Sequence, residues 1–192
     1  MNKHYKIYKP FEMLSQKYSN DERQNKKKRF LRELYDFPEN VYPVGRLDEK
    51  SEGLLLLTSD GVMSNEICQS GVEKEYYAQL TGDITQEAVD QLCEGVEIGF
   101  DGQKYITKPA IVSKLDEEPS LPEHHYKIRV GMHGKPNSWI RVIIKEGKYR
   151  QVRKMTSAVG FPTIRLVRVR IGNIHLADMQ PGDVIPLDYF DV

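Results

Sequence analysis

The stretch Gly45-Arg46-Leu47-Asp48-Glu49-Lys50-Ser51-Glu52-Gly53-Leu54-Leu55-Leu56-Leu57-Thr58-Ser59-Asp60-Gly61 decides how the rest of this chain is read. Its apolar run, Leu54 to Leu57, is too short for a helix and is bounded by polar residues. That combination predicts a strand buried on both faces. Upstream, Val41-Tyr42-Pro43-Val44 predicts a second strand, which places Asp48 on the polar connection between the two. Downstream, Ser59-Asp60-Gly61 reads as a turn that ends in a helix N-cap, with the helix over 62–69.

Working outward, Tyr5 to Lys9 alternates like a strand and stops at Pro10. The apolar spacing at Phe30, Leu31 and Leu34 predicts a short helix with a basic opposite face, following the run Lys26-Lys27-Lys28-Arg29. Lys74 to Leu80 predicts a strand, and Thr85 caps a helix running to about Glu94. Turn residues and weak strands fill 98–125, with Glu117 to Pro122 the clearest loop. Residues 126–133 and 138–145 alternate as two strands joined across Gly134-Lys135-Pro136-Asn137. Arg150 to Val159 has helical spacing closed by Gly160, Thr163 to Ile171 alternates again, and Pro181-Gly182-Asp183 turns into a last strand. Strand runs with scattered helices predict an α+β fold with a mostly antiparallel sheet.

Composition excludes several classes. With 39% hydrophobic and 29% charged residues, the chain has the mix of a globular protein rather than a disordered or fibrous one. No apolar run approaches the ~20 residues of a membrane span, and no signal peptide is expected at Met1-Asn2-Lys3-His4-Tyr5. A soluble cytoplasmic protein is expected. Cys68 and Cys93 have no CxxC spacing and no histidine cluster beside them, which argues against a disulfide or metal site. The pair His124-His125 fits a surface loop better than a metal site, because adjacent side chains on a strand diverge.

Net charge is zero, but its distribution is uneven. Residues 127–170 carry twelve Lys or Arg against one acid, Glu146, an excess of 11 in one segment. Interleaved with strand-like apolar residues, such a stripe predicts a surface for a polyanion. A solvated basic face without a ligand is the alternative, and it is also the ordinary reading of Lys26 to Arg29.

Taken alone, Asp48 reads as a cap or a solvated turn residue. Its company is more specific. Residues 45–61 resemble the motif GRLDxxSEGLLLLTxDG of the RsuA/RluE-type RNA pseudouridine synthases over all 17 positions. Glu146-Gly147-Lys148-Tyr149-Arg150-Gln151-Val152-Arg153-Lys154-Met155 resembles that family's C-terminal motif, and Lys74-x-Tyr76 its short middle motif. Tyr8-Lys9-Pro10 sits where the family has a lysine–proline strand end. The likeness runs from about residue 5 to 187 and is weakest at 98–137.

This resemblance implies a pseudouridine synthase fold, a mostly antiparallel mixed sheet with flanking helices and a central cleft. It implies one catalytic domain over 1–192, in two subdomains with a boundary near 95–125. Many RsuA relatives begin with an S4-type RNA-binding domain, and only four residues precede the first strand here. The chain is therefore placed nearer the RluE-like members, which lack that domain and act on 23S ribosomal RNA. RNA is the implied partner, and a monomer is expected.

Carried over by residue, Asp48 is the catalytic aspartate. It acts in breaking the N1–C1′ bond of a uridine, by attack on the sugar or by removal of a ribose proton, and the base rejoins through C5. Tyr76 stacks on the target uracil, Arg153 pairs with the aspartate, and Arg46 fills the gap left by the extruded nucleotide. Leu166 matches an apolar residue lining the pocket.

These residue types suit the chemistry. A carboxylate in a dry site needs an opposite charge to stay ionised, and an arginine is suited to that. Extruding a base costs a few kcal/mol, which stacking on an aromatic ring offsets by roughly 1–3 kcal/mol. The isomerisation needs no redox cofactor, nucleotide or metal, and no motif for one is present. Two other readings remain at this stage: a noncatalytic RNA-binding module, and a glycoside hydrolase using Asp48 with Glu52. Against them stand the intact set Asp48, Tyr76 and Arg153 and a basic rather than acidic groove.

Overall fold

The computed structural model describes residues 1–126 and 137–192. Its elements in chain order begin with β1 (His4–Lys9), β2 (Met13–Leu14), α1 (Glu22–Lys27), β3 (Arg29–Phe30) and a 3₁₀ turn (Leu31–Glu33). Next come β4 (Tyr42–Pro43), β5 (Glu52–Thr58), α2 (Gly61–Gln69), β6 (Lys74–Leu80), α3 (Gln86–Glu94), β7 (Glu97–Phe100) and β8 (Gln103–Ile106). The chain continues through β9 (Ile111–Leu115), β10 (Ser138–Ile144), α4 (Gln151–Ala158), β11 (Thr163–Ile171), β12 (Ile174–His175) and β13 (Val184–Leu187). The class is α+β with mostly antiparallel strand pairing, as the sequence predicts.

Two compact units emerge: residues 1–72 with 167–192, and residues 73–166. The region near 95–125, where the sequence reading put the boundary, lies wholly inside the second unit.

In the first unit β5 is central. All seven of its residues are buried, and Leu54 to Leu57 have no exposed surface at all. It pairs antiparallel with β1 on one edge (Lys9 opposite Gly53, Tyr5 opposite Leu57). The other edge takes β11 in parallel at Glu52 and Gly53, and β4 antiparallel at Leu57 and Thr58. One face of β1 and β5 presents Tyr5, Ile7, Leu55 and Leu57 to Met13, Leu31, Phe37 and Val41, which together form a buried core. Each such side chain contributes roughly 1.5–3 kcal/mol of burial. The opposite face carries Tyr8, Leu54 and Leu56, also buried. Asp60 caps α2 as expected, its Oδ1 accepting from the Val62 and Met63 N–H groups.

In the second unit β6, β10 and β9 lie side by side in that order. β6 and β10 pair antiparallel with Tyr76 opposite Val142, and β9 extends the sheet with Leu115 opposite Trp139. Thr85 caps α3, whose Ala88, Val89 and Leu92 are buried. β7 and β8 form a hairpin around Asp101-Gly102, both at positive φ, the geometry of a tight two-residue turn. Of the hairpin expected over 126–145, β10 is its second strand. Most of its first strand and turn lie outside the described residues.

The basic segment near residue 30 differs from expectation. Phe30 lies in β3, and only the short 3₁₀ turn follows it. The helix sits earlier, at 22–27, with no buried residue and with Asp21 capping it. Local capping, not apolar periodicity, places it.

Candidate active site

The loop bearing Asp48 is fixed residue by residue within the first unit. The Val44 N–H donates to the Leu56 carbonyl (2.8 Å), keeping the incoming chain beside β5. Gly45 then turns at φ 65°, a conformation that favours glycine. Arg46 is exposed, Leu47 is buried and Asp48 is half-buried. The Ser15 hydroxyl accepts from the Leu47 N–H (2.9 Å) and donates to the Leu47 carbonyl (2.6 Å). The Asp48 carbonyl accepts from the Ser51 N–H (3.0 Å), and the Glu49 carbonyl from the Glu12 N–H (2.8 Å).

Beneath the loop lies a buried ionic group. Lys9, with no exposed surface, donates from Nζ to the carbonyls of Pro10 (2.8 Å), Met13 (2.7 Å) and Glu49 (3.3 Å). Burial pushes the Lys9 ammonium down to about 7. The carboxylates of Glu52, Asp48 and Glu49 pull it back up in part, and Arg168 pushes it further down. Glu52 is itself buried and accepts the Tyr8 hydroxyl (2.8 Å). Arg168 Nε donates to the Leu54 carbonyl (2.8 Å), and Lys28 pairs with the Glu49 carboxylate (2.8 Å).

Tyr76, Arg153 and Leu166 belong to the second unit. Tyr76 lies on the fully covered face of β6, with Ala78 and Leu80, and is 8% exposed. On the opposite face, Tyr77 and Gln79 are half-buried. The better-packed face of this strand is the one that carries Tyr76. Arg153 is half-buried on α4, and Leu166 is buried in β11.

The turn that leads into α4 is organised by Glu146. Its carboxylate accepts from the Tyr105 hydroxyl, the Lys108 N–H (2.8 Å) and Gln151 Nε2 (2.7 Å). Gln151 Oε1 in turn accepts the Lys148 N–H (3.0 Å). The hydrogen bond to Glu146 is the main reason the Tyr105 hydroxyl titrates above its ordinary value, with burial and the carboxylate's charge adding to it. Arg150 enters α4 at φ 53°. Exposed Tyr149 lies under the Lys154 ammonium, 5.2 Å from its ring centroid.

The basic segment 127–170 is less of a surface than its sequence implies. Arg165 and Arg168 are buried and donate to the carbonyls of Pro122 and Leu54. Arg141 pairs with Glu75 (2.6 Å). Donation to a backbone carbonyl offsets part of the cost of burying the Arg165 and Arg168 guanidinium groups. Lys127, Arg129 and Lys135 lie outside the described residues. The His124 ring bonds the Tyr126 carbonyl, and His125 is exposed.

Lys9 was legible only as a strand end and Glu146 only as the lone acid of the basic segment and the start of a motif, while Ser15 and Tyr105 were not singled out from sequence. The link from Ser15 to Leu47 spans 32 positions and leaves no periodic signal.

Comparison with known proteins bears on the same residues. A family model described as RNA pseudouridylate synthase matches residues 3–158. The ribosomal large subunit pseudouridine synthase E of Xanthomonas campestris pv. campestris is 43% identical over 178 residues, 92% of this chain and 90% of that protein. The ribosomal small subunit pseudouridine synthase A of Escherichia coli K12 is 32% identical over 150 residues, 77% of this chain and 55% of that protein. A crystal structure of a pseudouridylate synthase superposes with a TM-score of 0.76 at 27% identity, over 97% of this chain and 70% of that one. The matched region holds the Asp48 loop, Tyr76 and Arg153, and the likeness extends to both sequence and fold: the chain belongs to the RNA pseudouridylate synthase family.

Proposed function

We propose that this pseudouridine synthase acts on one uridine of large-subunit (23S) ribosomal RNA, in the cytoplasm and as a monomer, with Asp48 as its catalytic residue. The observation that carries the substrate class is the 43% identity to a large subunit pseudouridine synthase E across nine-tenths of both chains. Against the 32% identity to a small-subunit enzyme over a shorter span, it favours the large subunit.

In the reaction, the Asp48 carboxylate promotes cleavage of the N1–C1′ bond. The freed uracil turns, C5 bonds to C1′, and C5 gives up its proton while N1 regains one. Atoms balance without an added reagent. Tyr76 offers the ring on which the uracil stacks, Leu166 an apolar wall, Arg153 positive charge for the carboxylate chemistry, and Arg46 a side chain to replace the extruded nucleotide. Phosphate contacts from exposed Lys and Arg make RNA binding weaken with salt.

The test is carbodiimide labelling and primer extension of ribosomal RNA from a deletion strain complemented with wild-type or Asp48→Asn protein. Wild type restores one pseudouridine in 23S RNA and the variant does not, while still binding RNA. Modification at the wild-type rate by Asp48→Asn would remove the assignment. A pseudouridine restored in 16S RNA instead would move the substrate to the small subunit.

A further inference from the structure

We infer that Ser15 is a positioning residue for the reaction, acting through the backbone of Leu47 to aim the Asp48 carboxylate; this rests on the reading of Asp48 as catalytic. The direction of a side chain is set by the two peptide planes that flank its Cα. For Asp48, one plane carries the Leu47 carbonyl and the other its own carbonyl. The first is held by the Ser15 hydroxyl at 2.6 Å and the second by the Ser51 N–H at 3.0 Å. Ser15 also takes the Leu47 N–H at 2.9 Å, so a single hydroxyl closes both polar groups of the residue before the aspartate. Ser15 and Leu47 are 8% and 5% exposed, which leaves little room for water to replace that hydroxyl.

A clamp works only if its own base is fixed, and this one is. Met13 and Leu14 pair with Arg29 and Phe30, and the Gln16 carbonyl accepts the Leu31 N–H (3.0 Å). Lys9 Nζ holds the Met13 carbonyl and reaches the Glu49 carbonyl as well, joining the base to the loop on the far side of Asp48. The segment 9–16 is thus a buttress, and Ser15 is its contact with the peptide that orients the carboxylate. None of the family motifs quoted above includes this serine.

Geometry of this kind acts on the rate. A displacement of about 1 Å at a reacting group costs on the order of 100-fold. The test is single-turnover modification of unmodified 23S transcript by wild type, Ser15→Ala, Ser15→Cys, Ser15→Thr and Asp48→Asn, with RNA affinity and thermal unfolding measured alongside. The expectation is a rate loss of roughly 10- to 100-fold in Ser15→Ala, with affinity within about twofold of wild type and the protein folded at the assay temperature. Ser15→Thr, which restores the hydroxyl, recovers to within about threefold, and Ser15→Cys, a weaker hydrogen-bonding group of similar size, falls between. A merely structural serine would move the unfolding temperature without this order of rates. Folded Ser15→Ala at the wild-type rate, or Ser15→Thr as slow as Ser15→Ala, overturns the inference. Should Ser15→Ala be unfolded, the decision passes to the other pair, and Ser15→Cys as fast as Ser15→Thr overturns it. Full activity of Asp48→Asn removes the reading of the site itself, whereas an inactive Asp48→Asn beside a wild-type-rate Ser15→Ala removes only the role of Ser15.

Discussion

Lys9 and Glu49 meet through the backbone: the buried Nζ of one donates to the carbonyl of the other at 3.3 Å, one residue beyond Asp48. The cost of burying an ammonium there appears as a titration near 7, against 10.5 for an exposed lysine. The folded chain releases that proton near pH 7, while the unfolded chain holds it to about 10.5. Between those values unfolding takes up a proton, so Lys9's contribution to stability rises with pH, on the order of 1 kcal/mol per unit. Below pH 7 both states are protonated and the full cost of burial is present. The stability difference between wild type and Lys9→Met should therefore grow in favour of wild type from pH 7 to pH 10, measured by urea unfolding. A difference flat over that range would show that the three carbonyls around Nζ compensate burial completely.

Tyr8 and Glu52 form the companion pair on the other face of β1 and β5, with 2.8 Å between hydroxyl and carboxylate and both residues buried. Tyr8→Phe keeps the ring and removes one donor to a charged acceptor. The expected loss is about 1–3 kcal/mol, because the acceptor stays buried and water has no access to replace the donor. Denaturant unfolding at neutral pH reads it, and a change under a few tenths would mean that Glu52's other contacts suffice.

How much of this was legible in advance divides along physical lines. Leu54 to Leu57, the Asp60 and Thr85 caps and the strand over 163–171 are local patterns, and local patterns can be read, although the burial of β11 does not follow its alternation. The motif placed Asp48 on its loop for the same reason. What escaped depends on partners distant in sequence. Phe30 and Leu31 share an apolar spacing that fits a helix, but β2 captures Phe30 as a strand partner and the core takes Leu31, so the helix fails to form there. Which of Tyr76 and Tyr77 is the more deeply covered depends on what packs on each face of β6, and alternation alone is silent about that. The buried arginines of β11 read as surface charge because only their carbonyl partners reveal them.

Glu146 is expected to matter beyond its single charge, since its carboxylate ties Tyr105, Lys108 and Gln151 to the turn before α4. Glu146→Ala leaves three donors to find water, a loss of roughly 1–3 kcal/mol in stability. It also removes the main cause of the raised Tyr105 titration, so the Tyr105 hydroxyl should ionise at lower pH. The readout is alkaline difference absorbance of Glu146→Ala against Glu146→Ala/Tyr105→Phe, set beside wild type against Tyr105→Phe. An unchanged Tyr105 midpoint would contradict the hydrogen bond.

Gly53 provides the sharpest contrast, because the parallel pairing of β5 with β11 is built on it. Its φ is +108°, and a Cβ there would meet the backbone of Arg168, 2.8 Å from its nitrogen, and Val167 Cγ1 at 3.0 Å. Backbone in a sheet interior has no rotamer by which to yield, so Gly53→Ala must break the pairing or strain both strands. A loss of about 3 kcal/mol or more is expected, of the size that backbone incompatibility at special φ positions produces. Gly61, eight residues on, is the control: nothing lies within 4 Å of its would-be Cβ, and it opens α2. Gly61→Ala should be neutral or stabilising by up to about 1 kcal/mol, since alanine lowers the entropy of the unfolded chain without a clash. Urea unfolding of the two variants decides it. Equal stabilities would mean that β5 and β11 can separate at Gly53 without cost, against the register seen at Glu52 and Gly53.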